Sequence, residues 1–511
     1  MSADATGAAD TTAGRLRALL VLLCGALALV VAANSSLAVA LPDLAADLGA
    51  DQTELTWIVD AYALTFAALL LPAGFLADRI GRRTVLVAGL VVFGLAGVAS
   101  AYAAGPGWLI GWRALAGIGA AAVFPVTLSA LVDAYPQDRR GFAVAVWSGV
   151  SAAGAVLGTL VSGALLEAFW WGSVQLAFGV AALAVVPGVL ALVAQNRNLS
   201  LSTDPIGALL AVVGLGGLVF AVIEAPRQGW TSPATLVPLA VGVAGLIGFV
   251  LHERRTSSPA LDVRLFRDRG LATGSLLVAL QFFASLGLFV LAPQYLQLVL
   301  DYSALQAALA LLVIAGGVGA GTALAPPALE RLGARWPGAG GLVLMAAGFA
   351  LLAAALPATS YWPLAAGLLV FGLGFGLAVT PGTVLILDGL PAERRSVASA
   401  VNDITREVGG VLGIAVLSSV LVARYRAEVE PVEATLPPEL AGPVADGAGT
   451  GLGAAAALGP DGAVVADAVR DAFTSGFAGS LWVAAGVLAA GAAVCAVLAP
   501  ARPRVPEGTR S

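Results

Sequence analysis

The sequence predicts an all-α integral membrane protein: two homologous six-helix halves with two further helices between them, fourteen membrane spans in all. Three observations carry this prediction. First, 59% of the 511 residues are hydrophobic and 11% charged, with a mean hydropathy of +0.93, whereas a soluble chain carries about 25% charged residues. Second, apolar runs long enough to cross ~30 Å of hydrocarbon as helices fall near 17–42, 54–76, 84–104, 108–132, 141–166, 171–194, 206–224, 232–251, 270–299, 304–326, 337–357, 362–386, 397–422 and 473–499. Third, the chain repeats itself. Asp388, Pro391, Glu393, Arg394, Arg395, Gly409 and Gly413 have counterparts 255 residues earlier in Asp133, Pro136, Asp138, Arg139, Arg140, Gly154 and Gly158. Asp78-Arg79-Ile80-Gly81-Arg82-Arg83 with Gly89 returns at an offset of 252 as Glu330-Arg331-Leu332-Gly333-Ala334-Arg335 with Gly341. A near-constant offset over separate segments marks two copies of one unit. The expected division is 1–200 for the first bundle, 201–256 for spans 7 and 8, and 257–511 for the second bundle.

Composition excludes several classes. The 26 basic residues are all arginine, so no phosphate-binding Gly-x-x-x-x-Gly-Lys-Ser/Thr loop exists. Cys24 and Cys495 lie in apolar runs and read as small buried side chains. His252, the one histidine, stands alone in a charged segment. No metal-ligand spacing, Ser-His-Asp set or nucleic-acid motif occurs, and no cofactor is expected. The first apolar run is too long for a cleavable signal peptide.

Arginine placement sets the orientation. With both termini cytoplasmic, 20 arginines fall in cytoplasmic segments and four outside: Arg227, Arg424, Arg426 and Arg470. This is the positive-inside bias of inner-membrane proteins. Arg113 and Arg406 fall inside spans. The segment from Arg424 to Asp471 reads as a long external loop. Trp57, Trp108, Trp230 and Trp362 lie near span ends, as interfacial anchors do.

The most specific motif is Gly74-Phe75-Leu76-Ala77-Asp78-Arg79-Ile80-Gly81-Arg82-Arg83, in the short turn between spans 2 and 3. Its glycines permit a tight turn, and Asp78 beside Arg79, Arg82 and Arg83 can form an ion-pair latch against helix ends. The plainer reading is orientation alone. With fourteen spans and repeated halves, this motif resembles the major facilitator superfamily, and specifically its 14-spanner drug:proton antiporters, over essentially the whole chain. That resemblance implies the major facilitator fold, with protons and a small amphiphilic molecule as partners; the sequence leaves the oligomeric state open, a monomer being the expectation.

The other motifs are compared with that family in chain order. Span 1 lacks the family's common acidic residue: Ala33, Ser35 and Ala38 precede Ala40-Leu41-Pro42, and Asn34 is the nearby polar group. In span 2, Asp60 resembles a position that is acidic in the polyspecific cation-exporting subgroup. The plainer reading is an external-interface carboxylate. Arg113 in span 4 resembles the family's intramembrane arginine, though Ala116 stands where the family has Gln; its alternative is snorkelling to an interface ~8 Å away. Gly154, Gly158 and Gly163 in span 5 resemble the antiporter motif, with Thr159 and Ser162 replacing a proline and a glycine. Small residues there permit close helix packing.

Span 13 carries the densest chemistry. Asp403 and Glu407 are four residues apart and share a helical face, with Arg406 beside them and Gly409 and Gly413 beyond. A charge deep in a bilayer costs ~2.5–3.5 kcal/mol or more on insertion scales, so such groups face protein or water. The family's cation-exporting subgroup has an acidic pair at the same spacing. The plainer reading is a structural Asp403–Arg406 ion pair, which leaves Glu407 without a local cation. Glu224, Asp133 and Asp388 read as interfacial. The sequence therefore points to proton-coupled efflux of amphiphilic, preferentially cationic, drugs or antibiotics, with Glu407 first and Asp403 and Asp60 second as carriers. The alternatives are a dedicated exporter of one endogenous product or lipid, and a non-transporting assembly or sensor protein on the same fold.

Overall fold

The computed structural model describes residues 3–136, 139–195, 204–256, 259, 261–356, 361–388 and 395–500. Among these described residues, fourteen helices are long and apolar enough to cross a membrane. They are α1 (Ala3–Ser36), α2 (Gln52–Ile80), α3 (Arg82–Ser100), α4 (Pro106–Ala134), α5 (Arg140–Leu166), α6 (Gly172–Leu192) and α7 (Pro205–Gln228). They continue with α8 (Pro233–Glu253), α9 (Arg269–Leu298), α10 (Ala304–Leu332, interrupted at Leu311), α11 (Arg335–Ala355), α12 (Tyr361–Asp388), α13 (Arg395–Glu433) and α14 (Gly462–Leu498). Short helices span Leu41–Leu48, Pro438–Asp446 and Ala448–Ala457.

Local chemistry fixes where helices begin and turn. Asp51 accepts from the Glu54 backbone and Glu54 returns the bond, a reciprocal cap that starts α2. Asp204 and Asp268 cap α7 and α9 one way, their side chains accepting from backbone N–H groups of the first turn. The turns after α2 and α10 are made by Gly81 (φ +112°) and Gly333 (φ +70°), conformations that a Cβ disfavours. These two glycines are the repeat's own counterparts. The end of the molecule holding them is called here the turn end, and the opposite one the loop end.

Each half packs around its own glycine seam. In the first half, α5 lies on α1: a Cβ at Gly158 would fall 2.6 Å from the Ala32 Cα, and one at Gly154 3.2 Å from Val31. In the second, α13 lies on α9: a Cβ at Gly413 would fall 2.6 Å from the Phe283 Cα, and one at Gly409 2.8 Å from the Ala279 Cα. The same close approach recurs at the repeat offset.

The halves meet at the loop end. One apolar core from Leu19 to Val193 belongs to the first half. A second spans α9 to α14 and takes in Leu37, Leu41, Leu44, Leu55, Ile58, Leu109 and Trp171 from the first half. Gln297 donates to the Val39 carbonyl at 3.0 Å, and Gly163 of α5 sits against α10 at Leu305. α7 and α8 pack on each other through Gly214, Gly217, Gly242 and Gly245.

The structure moves two boundaries. Where a loop from Arg424 to Asp471 is predicted, α13 continues to Glu433 and α14 starts at Gly462. The extension is amphipathic: Tyr425 and Val429 are buried, and the Tyr425 hydroxyl donates to the Val444 carbonyl at 2.7 Å. The predicted first span, 17–42, ends earlier at Ser36, and Pro42 instead opens the short helix Leu41–Leu48. Trp108, Trp230 and Trp362 are exposed as anchors should be, but Trp57 is not one of them; it is turned inward.

Candidate functional site

Three groups of polar side chains lie within or beside the helices. The first is built on α4 and α2. Arg113 is completely buried, so snorkelling does not describe it. Its Nε donates to the Ile58 carbonyl at 3.1 Å and its Nη1 to the Ala33 carbonyl at 3.4 Å, while Nη2 has no hydrogen-bond partner. The guanidinium carbon lies 4.4 Å from the Tyr62 ring centroid. Carbonyl oxygens and an aromatic face therefore hold this cation, in place of a carboxylate. Tyr62 is itself buried, and its hydroxyl donates to the Val30 carbonyl at 2.9 Å. Asn34 is half-buried beside Ala33, so Arg113 reaches α1 through the backbone rather than this amide.

Asp60 is fully buried with neither carboxylate oxygen hydrogen-bonded, which departs from the interfacial reading. It shares a face with Trp57, Ala63, Leu64 and Ala67. That face fronts α7 and α13 in a small apolar cluster with Leu215, Val219, Ile223, Val411 and Ala415. Asp60 and Arg113 form no ion pair.

The second group is on α13. Asp403, Arg406 and Glu407 are half-buried, and the Glu407 Oε2 is enclosed without a partner. The i,i+3 spacing predicts an Asp403–Arg406 ion pair, and the structure does not make it. The Arg406 guanidinium lies over Phe282 of α9 at 4.5 Å, and Phe282 meets Phe375 of α12 edge-on at 5.6 Å. Asn402, next to Asp403, accepts from the Thr383 hydroxyl of α12 at 3.5 Å. Glu407 comes within electrostatic reach of Tyr62, so α13 brings its deeper carboxylate toward the α2–α4 group. Beside these residues, Phe266, Ser275, Ala279, Ile404, Thr405 and Val408 line a largely apolar cleft of about 330 Å³ between α9 and α13.

The third group is the turn after α2. Arg82 bonds the Asp133 carboxylate and the Ser129 carbonyl, at 3.0 Å for the latter, tying α3 to the end of α4. Asp133, read as merely interfacial, is the acidic half of this tie. The Asp78 side chain lies outside the described residues, as do Asp138 and Pro391 to Arg394 of the repeat. Arg79 is exposed and Arg83 half-buried. Gln195, beyond α6, lies against Gly81 and donates to the Ile80 carbonyl at 3.2 Å and to Thr84 at 2.7 Å. Gly74 has room around it, with Pro125 4.0 Å from a notional Cβ. The second half carries Ala334 at the repeat position of Arg82, so this tie has no copy there.

Sequence reading missed Tyr62, Gln195, Asp133 as a partner, and Gln281. The last is a buried amide on α9 that donates to the Phe375 carbonyl at 3.1 Å. Only the repeat, which pairs Asp133 with Asp388, hinted at any of them. Among the described residues no group of His, Cys, Asp and Glu is arranged to hold a metal ion.

Repeated helical halves around intramembrane charges define a two-bundle membrane transporter. Residues 23–414 match the Major Facilitator Superfamily, and the chain belongs to that family. It is 34% identical over 513 residues to the "Multidrug efflux pump LfrA" of Mycolicibacterium smegmatis, covering 97% of this chain and 99% of that one. It is 31% identical to the "Methyl viologen resistance protein SmvA" of Salmonella typhimurium, covering 85% and 88%. It is 33% identical to the "Puromycin resistance protein pur8" of Streptomyces alboniger, covering 78% and 81%. In fold it is similar to a bacterial homolog of the human lysosomal transporter Spinster, crystallised inward-facing and unoccupied. That match has a TM-score of 0.67 and 18% identity, over 96% of this chain and 99% of that one.

Proposed function

We propose that this protein is a proton-coupled exporter of amphiphilic, preferentially cationic, drugs or antibiotics in a bacterial plasma membrane. Both termini and the turn end face the cytoplasm, and the two bundles rock to give alternating access. The observation that carries the reading is the α13 face: two carboxylates and an arginine inside a spanning helix, half-buried, beside Phe282 and Phe375. An aromatic wall attracts a cationic amphiphile and tolerates varied shapes. Carboxylates beside that wall can hold either the substrate's charge or a proton, which is the competition an antiporter needs. The relatives' names, covering multidrug efflux, methyl viologen resistance and puromycin resistance, support a broad drug substrate. Glu407 is assigned the main proton exchange and Asp403 the supporting one. Arg113 holds the first half's inner helices, and the Arg82–Asp133 tie acts on the inward–outward balance.

Purified protein in liposomes, with an inward-directed pH gradient, tests this on tetraphenylphosphonium, methyl viologen and puromycin. At least one should be driven out against its gradient. Glu407→Gln keeps shape and hydrogen bonding but removes titration, so gradient-driven efflux should fall about a hundredfold, with Asp403→Asn milder. Full activity in Glu407→Gln would move the proton site elsewhere.

A further inference from the structure

Resting on that reading, we infer that α7, the first of the two helices inserted between the halves, is the outer cover of Asp60, and that Glu224 on α7 is the carboxylate through which protons reach Asp60 from the loop end. The argument starts from Asp60. It is wholly buried, and neither oxygen has a hydrogen-bond partner. Its face of α2 fronts α7 and α13 across an apolar cluster that takes in Leu215, Val219 and Ile223 from one and Val411 and Ala415 from the other. A carboxylate so enclosed exchanges a proton only where a polar group interrupts the wall.

One does, toward the loop end. Trp57 stands on the same face of α2, three residues before Asp60, so ~4.5 Å further out along the axis. Its Nε1 donates to the Glu224 Oε1 at 3.1 Å, and its ring packs on Phe220 of α7 at 5.5 Å. Glu224 is half-buried, between the enclosed Asp60 and the exposed end of α7. An indole N–H donates but cannot accept, so Trp57 holds Glu224 in place without itself passing a proton. Rotation of the indole would open the one-turn gap between the two carboxylates. On α13, Ser419 lies one turn beyond Ala415 in the same direction, buried, with no hydrogen-bond partner for its hydroxyl. That is a donor and acceptor on the third wall of the junction.

The transfer is simple to balance: a proton from outside adds to the Glu224 carboxylate, then passes to the Asp60 carboxylate, leaving Glu224 ionised again. The charges facing Glu224 are few. Arg227, one turn outward on α7, is paired with Asp51 at 3.5 Å, and Asp51 shares its cap with Glu54. The short helices Pro438–Asp446 and Ala448–Ala457 form a lid over this end, and its Asp446 comes within electrostatic reach of Asp51, Arg227 and the Arg426 of α13. α8 brings no charge to this level, its only charged or titratable residues being His252 and Glu253 at the turn end. Toward the molecule's centre, beyond Asp60, Glu407 lies on the Tyr62 side of α2.

The test compares two fluxes in the same liposomes, using whichever of the three probes moves fastest. Net efflux driven by a pH gradient needs proton exchange at the outer side; probe-for-probe exchange without a gradient does not. Glu224→Gln still accepts from Trp57 but does not titrate. Its net efflux should fall about tenfold and lose its dependence on external pH, while exchange stays at the wild-type rate. Glu224→Asp should restore most of the net flux. Wild-type net efflux in Glu224→Gln at every external pH would overturn the inference, and so would equal loss of both fluxes, which marks a structural role. Absence of gradient-driven efflux in the wild-type protein would overturn the exporter reading itself.

Discussion

Arg113 and Arg406 are both arginines inside membrane spans, one in each half, and they are held in opposite ways. Arg113 is sealed, bonded to the carbonyls of Ile58 and Ala33 and stacked on Tyr62. Arg406 is half-exposed and lies over Phe282. The carboxylates follow the same division: Asp60 is fully enclosed, whereas Asp403 and Glu407 are partly accessible. In the state described, the first half therefore seals Arg113 and Asp60, and the second leaves Asp403, Arg406 and Glu407 only half-buried. A rocking transporter needs such a division. A site open on one side and a site shut off from it can exchange roles only if the two belong to different bodies.

That contrast can be broken at its strongest point first. Arg113→Lys should cut gradient-driven efflux about tenfold and lower unfolding stability by ~2 kcal/mol, because an ammonium cannot reproduce a planar fork aimed at two carbonyls. Arg406→Lys should stay near wild type in stability. Thermal unfolding in detergent with parallel flux assays checks both, and equal losses in the two variants would erase the distinction between sealed and accessible arginines.

A smaller effect sharpens what the halves share. Gly158→Ala and Gly413→Ala each force a methyl against the backbone of the partner helix and should each destabilise by ~1–3 kcal/mol. Gly154→Ala, facing the movable Val31 side chain, should be milder. Sensitivity in one half alone would mean that only one of the two seams is tightly packed.

The smallest effect lies outside the membrane. Burial, with the Asp51 charge adding to it, holds the Asp446 carboxyl above the ordinary carboxylate range. Its protonated form thus favours the folded lid, and that contribution is lost as pH rises through the raised value. Hydrogen exchange of 438–457 should quicken slightly with pH beyond its intrinsic trend, and Asp446→Asn should flatten that excess.

Much of this was legible in the chain. Fourteen spans followed from hydropathy, and the paired glycines at a fixed offset anticipated two matching helix seams. The seams appear at Gly158 on Ala32 and Gly413 on Phe283. Asp60, Arg113, Asp403 and Glu407 stood out because charges are costly where they lie. What escaped was whatever depends on a distant partner. Trp57 reads as an interfacial anchor because its neighbours in sequence say nothing of Glu224, 167 residues away. Asp133 was read as interfacial because Arg82 lies on another helix. The spacing of Asp403 and Arg406 allowed a pair, but Phe282 from α9 offered the guanidinium a competing surface. The helical stalks beyond the membrane were hidden for another reason: hydropathy averages over all faces, and Arg424, Arg426, Glu428 and Glu430 masked the single apolar seam of Tyr425 and Val429.

Those stalks have a mechanical consequence. α13 is 39 residues long, ~58 Å as a straight helix against ~30 Å of hydrocarbon. It therefore extends beyond the hydrocarbon toward the lid, which rests on the short helix Leu41–Leu48 of the other half through Gly449 and Ala45. A lever amplifies displacement in proportion to its length, so a small tilt of the second bundle becomes a large excursion at its tip. The lid is the natural pointer on this machine: a pair of distance labels at Gly442 and Asp47 would register each turnover with more travel than labels placed at the buried charges themselves.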